Sequence, residues 1–255
     1  MAELILLGTG AALSDADREN TYLVVRGEES SILVDCAGSP TQRLLKAKVP
    51  LDSIDHLILT HHHPDHIYGL SVLLLDLWLA GRKKVLHIHG LAETLRAARG
   101  MMRAFEWERW NEHGFFPVEF HTVPNKGIAL IIVSPEFSVS AAPTEHLLPT
   151  IATRFVSMSS GKSVVYTSDT VVCKAVVALA CDADILLHES TSVERAVMGH
   201  SSARQAGEQA TRASVKELVL VHLPPDGDVD VLRSAASSTF CGKVVVGKDF
   251  MRIKF

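Results

Sequence analysis

Apolar and polar positions along this chain fall into short runs with two different periods. Residues 4–7, 21–25, 31–35 and 54–59 are aliphatic or β-branched stretches bounded by glycine and polar residues, and each predicts a strand. Residues 42–48 predict a short helix with Leu44 and Leu45 facing inward. Beyond residue 66 the period lengthens. Residues 69–80 predict a buried helix and 91–102 an amphipathic one, while 85–89 between them alternate as a strand does. From Phe105 to Phe120, aromatic residues (Trp107, Trp110, Phe115 and Phe116 among them) are interleaved with charges, which predicts a cap over the core ahead of a wall beside a site. The second half repeats the rhythm. Strands are expected at 128–133, 137–141, 151–156, 163–167, 185–187, 218–221 and 244–246, and helices at 172–180, 202–213 and 229–237. Strands lead each half and helices follow, so the expected class is α/β, a four-layer αββα sandwich with two sheets inside and helices outside.

Composition narrows this picture modestly. A chain of 255 residues that is 47% hydrophobic has ample material for one large core, and a single domain over 1–255 is expected. A net charge of −4 does not advertise a nucleic-acid surface, although a local basic groove is compatible with it. Cys36, Cys173, Cys181 and Cys241 show no CxxC spacing and read as buried or half-buried free thiols in a reducing compartment. The apolar run at 4–7 is too short for a signal-peptide core, and no stretch approaches 18 apolar residues without a charge. A cytoplasmic protein without a membrane span is the expectation.

The chemistry is concentrated where the strand at 54–59 ends. Thr60-His61-His62-His63-Pro64-Asp65-His66 places four ligand-type side chains of an HxHxDH pattern in one loop. Imidazole and carboxylate donors together suit zinc or a similar first-row cation. Three more ligand-type residues follow apolar strands: His146, Asp169 and His222. Each alone is more often a turn or cap residue; together with HxHxDH they point to ligation. Seven donors exceed one tetrahedral zinc and suit two metals sharing a carboxylate and holding a hydroxide between them. His61, His63 and His146 are assigned to the first metal, Asp65, His66 and His222 to the second, and Asp169 bridges. His62 is spare. The cofactor expected is two Zn2+, with Mn2+ or Fe2+ able to use the same donors.

With these residues in hand, the chain resembles the metallo-β-lactamase superfamily and, within it, the ribonuclease Z-like branch. The resemblance runs through Leu6-Leu7-Gly8-Thr9-Gly10, Leu33-Val34-Asp35-Cys36, the 60–66 loop with Gly69-Leu70, and Tyr166-Thr167-Ser168-Asp169-Thr170. His188-Glu189-Ser190-Thr191 is similar to a motif of tRNA 3′-processing enzymes, and Gly199-His200-Ser201 to a helix start whose histidine reaches the scissile phosphate. The resemblance therefore implies catalytic roles for His200, on the phosphoryl oxygens or the leaving group, and for Glu189, which would orient or charge it. Asp65 would help position the attacking hydroxide. The alternative for His200 is an incidental neighbour of a helix cap at Ser201 or Ser202. His188 is expected to be structural.

The implied activity is hydrolysis of a phosphodiester, in a tRNA 3′ trailer, another RNA or a nucleotide, and a homodimer is among the implied assemblies. Two features depart from the tRNA-processing pattern. The stretch from His146 to Asp169 is too short for a protruding tRNA-gripping arm, and His222 is followed by Leu223-Pro224-Pro225-Asp226, with no nearby tyrosine or arginine. The rival readings are a small-substrate hydrolase of the same fold (cyclic nucleotide phosphodiesterase, lactonase, β-lactamase-like or arylsulfatase-like) and a non-catalytic metal-binding module.

Overall fold

A computed structural model describes residues 2–13, 15–195 and 197–255. The strands, in chain order, are β1 (Glu3–Gly8), β2 (Tyr22–Arg26), β3 (Ser31–Val34), β4 (Ile54–Leu59), β5 (Leu86–Gly90), β6 (Val118–Thr122), β7 (Ala129–Val133), β8 (Phe137–Pro143), β9 (Ile151–Ser157), β10 (Ser163–Tyr166), β11 (Ile185–Glu189), β12 (Glu217–Val221), β13 (Lys243–Val246) and β14 (Arg252–Lys254). They form two seven-stranded sheets, ordered β14-β1-β2-β3-β4-β5-β6 and β13-β12-β11-β10-β9-β8-β7. Each sheet is part antiparallel and part parallel. β3 through β6 run parallel, as do β10 through β13. Parallel neighbours need crossovers, and the helices supply them. These are α1 (Pro40–Lys46), α2 (Pro64–Ile67), α3 (Leu70–Leu79), α4 (Ala92–Ala104), α5 (Glu108–Asn111), α6 (Lys174–Ala180), α7 (Ala203–Arg212) and α8 (Val229–Ser237).

Alternation along the strands sorts the core into three apolar layers. Leu4, Leu6, Leu23, Val25, Ile32, Val34 and Ile58 meet Phe137, Val139, Phe155, Val164, Tyr166 and Leu187 between the sheets. The intervening residues Ile5, Leu7, Val24, Leu33, Leu57 and Leu59 pack outward against Leu44 of α1, Leu70, Leu73, Leu74 and Leu77 of α3 and Leu95 and Ala98 of α4. On the far side Val165, Leu186, Leu218 and Leu220 pack against α6, α7 and α8. This is the αββα sandwich the pattern predicts.

Several local expectations are corrected. Leu44 is buried but Leu45 is 58% exposed; consecutive helical residues point about 100° apart and do not share a narrow buried face. The helix at 70–79 is buried on one side only, and Val72 and Leu79 face outward. Cys36 and Cys173 are buried free thiols, whereas Cys181 and Cys241 are exposed. Two edge strands, β6 and β14, escape the pattern altogether. The aromatic segment packs on α3: Trp110 stacks on Trp78 with ring centroids 5.7 Å apart, and Phe115 meets both rings edge-on. It is a cap on the outer helical layer.

Candidate active site

The predicted donor residues lie at the carboxyl ends of strands from both sheets. β4 runs into the 60–66 loop, and Pro64 occupies the first turn of α2 with His63 as the extended residue before it. Proline fixes that turn without wasting an amide hydrogen. The loop is pinned to the chain leaving β3, because the Cys36 amide donates to the His66 carbonyl (2.7 Å) and the Gly69 amide to the Cys36 carbonyl (2.9 Å). A Cβ on Gly69 would sit 2.9 Å from that carbonyl oxygen, so the close approach requires glycine. His146 follows β8, Asp169 follows β10 and His222 follows β12. Asp35, Ser168 and His222 all adopt positive φ (61°, 53° and 54°), a strained turn for side chains of this kind that re-aims each strand end.

The side chains converge as two groups. In the first, His61 Nε2 and His146 Nε2 lie 3.0 and 3.1 Å from His63 Nδ1, and each is 3.7 Å from Asp169 Oδ2. In the second, His66 Nε2 is 3.4 Å from Asp65 Oδ2 and 3.4 Å from Asp169 Oδ1, and His222 Nε2 is 3.5 Å from each of the same oxygens. Asp169 thus presents one oxygen to each group. Tetrahedral zinc with bonds of about 2.0–2.1 Å separates its donors by roughly 3.3 Å, so both groups have the spacing of a metal's donor shell. His66 Nε2, His222 Nε2 and Asp169 Oδ1 are buried and have no hydrogen-bond partner among the described residues. An unpaired buried polar group costs about 1–3 kcal/mol, and a divalent cation would satisfy all three. The donor set fits a divalent metal. His62 enters neither group.

Charge in the pocket prepares part of the donor set for a metal. Burial pushes Asp169 up, but the imidazoles of His222, His66 and His61 outweigh it and hold the carboxyl well below the usual range. Asp65 is likewise pushed up by burial and held low by His222 and His66. Burial, helped by the neighbouring His66, drives His61 well below an ordinary histidine. His66 and His222 shift the other way: burial lowers them, but Asp169, with Asp35 at His66 and Asp65 at His222, outweighs it and raises both above an ordinary histidine. Metal binds ionised carboxylate and neutral imidazole, so a cation at these two rings would displace protons.

Behind the donors stands a second row that sequence reasoning missed. Asp35, fully buried, lies 2.8 Å from His66 Nδ1 and accepts from the Thr60 amide (2.8 Å) and hydroxyl (2.9 Å). Thr60 Oγ1 is 3.1 Å from His61 Nδ1 and accepts from Ser168 Oγ. The Gly199 carbonyl takes His146 Nδ1 (2.7 Å), and Thr191 Oγ1 lies 3.3 Å from His222 Nδ1. Each partner holds one ring nitrogen so that the other faces the pocket. In sequence Asp35 stands at the end of the strand at 31–35 and within the Leu33-Val34-Asp35-Cys36 resemblance, with no role toward His66 assigned.

His200 and Glu189 also join the site. Glu189 is fully buried at the end of β11, where Oε1 accepts from the amides of Thr170 (3.1 Å) and Ser201 (3.0 Å) and lies 3.1 Å from His200 Nδ1, while Oε2 accepts from Thr191 Oγ1 (2.8 Å). The His200 ring lies 4.9 Å from that of His146 and stacks 5.4 Å from that of His222, and its Nδ1 is 3.9 Å from Asp169 Oδ2. Ser202, not His200, caps α7, exchanging bonds with Gln205 in a capping box. Of the two candidates for the cap, Ser202 fills it, and His200 lies beside the donor groups. His188 faces away, held between the Glu189 carbonyl and Gln209.

Residues 2–241 match the family model described as "Anti-Pycsar protein Apyc1". "Ribonuclease Z" of Mycolicibacterium gilvum (strain PYR-GCK) is 33% identical over 282 aligned residues, covering all of this chain and 96% of the relative. The chain belongs to this family and to the ribonuclease Z-like branch of the metallo-β-lactamase superfamily. Among solved structures, the short form of human tRNase Z is similar at 25% identity and a TM-score of 0.77, with 99% of this chain and 98% of that one covered. The metallo-β-lactamase fold protein YhfI from Bacillus subtilis shares the fold at a TM-score of 0.81 and 23% identity, with 99% and 98% covered. The protein is a metal-dependent hydrolase with a divalent metal site. No helix among the described residues is long and apolar enough to cross a membrane.

Proposed function

We propose that this family member is a two-zinc phosphodiesterase that cleaves a phosphodiester of RNA or of a nucleotide. The observation that carries the reading is Asp169, one carboxylate turned with one oxygen to each donor group, beneath a histidine backed by a buried glutamate. Two bound divalent cations would supply Lewis acidity and acidify water at neutral pH. His61, His63 and His146 would hold one, Asp65, His66 and His222 the other, and Asp169 both. Asp65 would also orient the attacking water. As water adds to phosphorus and the ester P–O bond breaks, negative charge grows on the phosphoryl oxygens and the leaving oxygen. His200, its Nδ1 held by Glu189, would meet that charge through Nε2 and deliver a proton to the leaving oxygen. Glu189 acts through His200 and is a positioning residue.

The ribonuclease Z relatives support an RNA substrate. A specific observation favours a second, smaller one, a cyclic mononucleotide. Between His146 and Asp169 the chain forms only a short loop, β9, the 158–162 turn and β10, and nothing there extends far enough to grip a folded RNA. Zinc-loaded protein should be assayed side by side on precursor tRNA, cyclic mononucleotides, bis-p-nitrophenyl phosphate, a lactone and an aryl sulfate. Turnover of diesters above the other two classes is the expected result. Turnover confined to the lactone or the sulfate would overturn the phosphodiester assignment, and metal uptake with no turnover of any substrate would favour a binding module. The exposed Val72 and Leu79 of α3 suit the proposed homodimer, which light scattering would test.

A further inference from the structure

A second cluster of histidines stands on the first sheet, away from the seven donors. His56 lies on β4, His87 and His89 on β5, and His121 with Glu119 on β6. The parallel register sets His56 opposite His87, His87 opposite Glu119, and His89 opposite His121, so all five share one face of three adjacent strands. Leu57, Leu59, Leu86 and Ile88 alternate with them and fill the helical side. Four of the chain's 13 histidines are gathered here.

The geometry resembles that of the active site. His87 Nδ1 is 3.0 Å from His121 Nε2 and 3.3 Å from Glu119 Oε2, and His121 Nε2 is 3.8 Å from the same oxygen. These separations bracket the roughly 3.3 Å expected between donors of tetrahedral zinc and repeat the 3.0–3.7 Å spacings of the His61, His63, His146 and Asp169 group. Behind the triad, His56 Nδ1 and His89 Nε2 meet at 3.0 Å, and the His89 ring stacks on that of His121 at 4.7 Å. The rear pair therefore buttresses the front one. The side chains of His121 and Glu119 are 43% and 59% exposed, which leaves the cluster open to an arriving cation and to a water as fourth donor.

We propose that His87, Glu119 and His121 form an accessory zinc site, separate from the catalytic centre. Two imidazoles and one carboxylate select a borderline first-row cation over calcium or magnesium, which prefer all-oxygen shells. The edge strand β6, paired among the described residues only with β5, would be stapled to its neighbour.

The test counts metal on the full-length, zinc-loaded protein after equilibration across buffered free Zn2+ from nanomolar to tens of micromolar. Wild type should carry one equivalent more than H87Q/H121N. Asp169→Ala should lose catalytic metal and keep the accessory equivalent. Glu119→Gln, a change at an exposed position, should weaken the extra site at least tenfold and serves if the double variant fails to fold. With cobalt in place of zinc, the accessory equivalent should contribute visible d–d absorption of a low-coordinate ion that the double variant lacks. Equal stoichiometry in wild type, H87Q/H121N and E119Q at every free-zinc level would overturn the proposal and leave the cluster a set of imidazole hydrogen bonds.

Discussion

His66 owes its aim to Asp35, and Asp35 owes its own position to Thr60 and to a backbone turned to positive φ. Losing a partner behind a metal-bound histidine commonly costs 10–100-fold in metal affinity. Asp35→Ala should therefore weaken metal binding by about that factor while leaving every donor in place, as titration with a zinc chelator would reveal. In the proposed mechanism His200 acts on the substrate instead. His200→Ala should keep full metal content and lose roughly 10²–10³ in kcat on a diester substrate, the loss typical for one oxyanion donor. An H200A enzyme with undiminished kcat would remove the phosphate assignment. Glu189→Gln should give a smaller fall in kcat together with an altered pH profile, a pairing that a purely structural lesion would not produce. At this scale the spacing of HxHxDH made its side chains conspicuous, because near neighbours at a strand end are visible in one dimension. Asp35, Thr191 and the Gly199 carbonyl were not, because each serves a histidine about 30 or more residues away. Ring orientation leaves no periodic trace.

The β2–β3 hairpin shows the same limit one level up. Its turn is clasped by Glu136 from the other sheet, whose carboxylate accepts from the Glu28, Glu29 and Ser30 amides and the Ser30 hydroxyl. A Cβ on Gly27 would lie 2.4 Å from that carboxylate, so even alanine there would push the clasp open. Burial pushes Glu136 up, but the hydrogen bonds from Ser30 and the turn amides outweigh it and hold the group below the usual glutamate value of 4.5. A folded-state pKa lowered in this way contributes stability above the unfolded value, and that contribution is lost as pH falls through the folded value. Glu136→Gln should cost about 1 kcal/mol or less at pH 7, given the group's partial exposure, and the gap in urea unfolding should close as pH falls below the usual glutamate range. Strands with apolar runs, such as residues 32–34 of β3 and 218–221 of β12, were legible because both their faces are covered. β6 and β14 were not. Glu119, His121, Arg252 and Lys254 stand exposed at sheet edges, where polar side chains are favoured and the hydrophobic period fades.

Across the whole molecule the donors are divided between the sheets. His61, His63, Asp65 and His66 come from the end of β4 in the first sheet, and His146, Asp169 and His222 from the ends of β8, β10 and β12 in the second. Stripping metal with a chelator should leave buried polar atoms facing one another across this seam. The melting temperature should fall and return on adding zinc, with about 2.7 kcal/mol regained at free metal 100 times Kd for each independent site. Calorimetry with and without chelator measures this, and equal melting curves would show that the seam holds without metal. The layer order and the meeting of the two halves were inferred from repeated strand-then-helix rhythm. The division of donors across the seam followed only once that topology was known.

If the proposed ions also join the two sheets, metal supply and the lifespan of the protein would be coupled. In a medium depleted of the cation, empty molecules would open along the seam more often, and proteases act on opened forms. Starvation for metal would then thin the pool of polypeptide as well as silence it, leaving the surviving copies enriched in loaded, working enzyme.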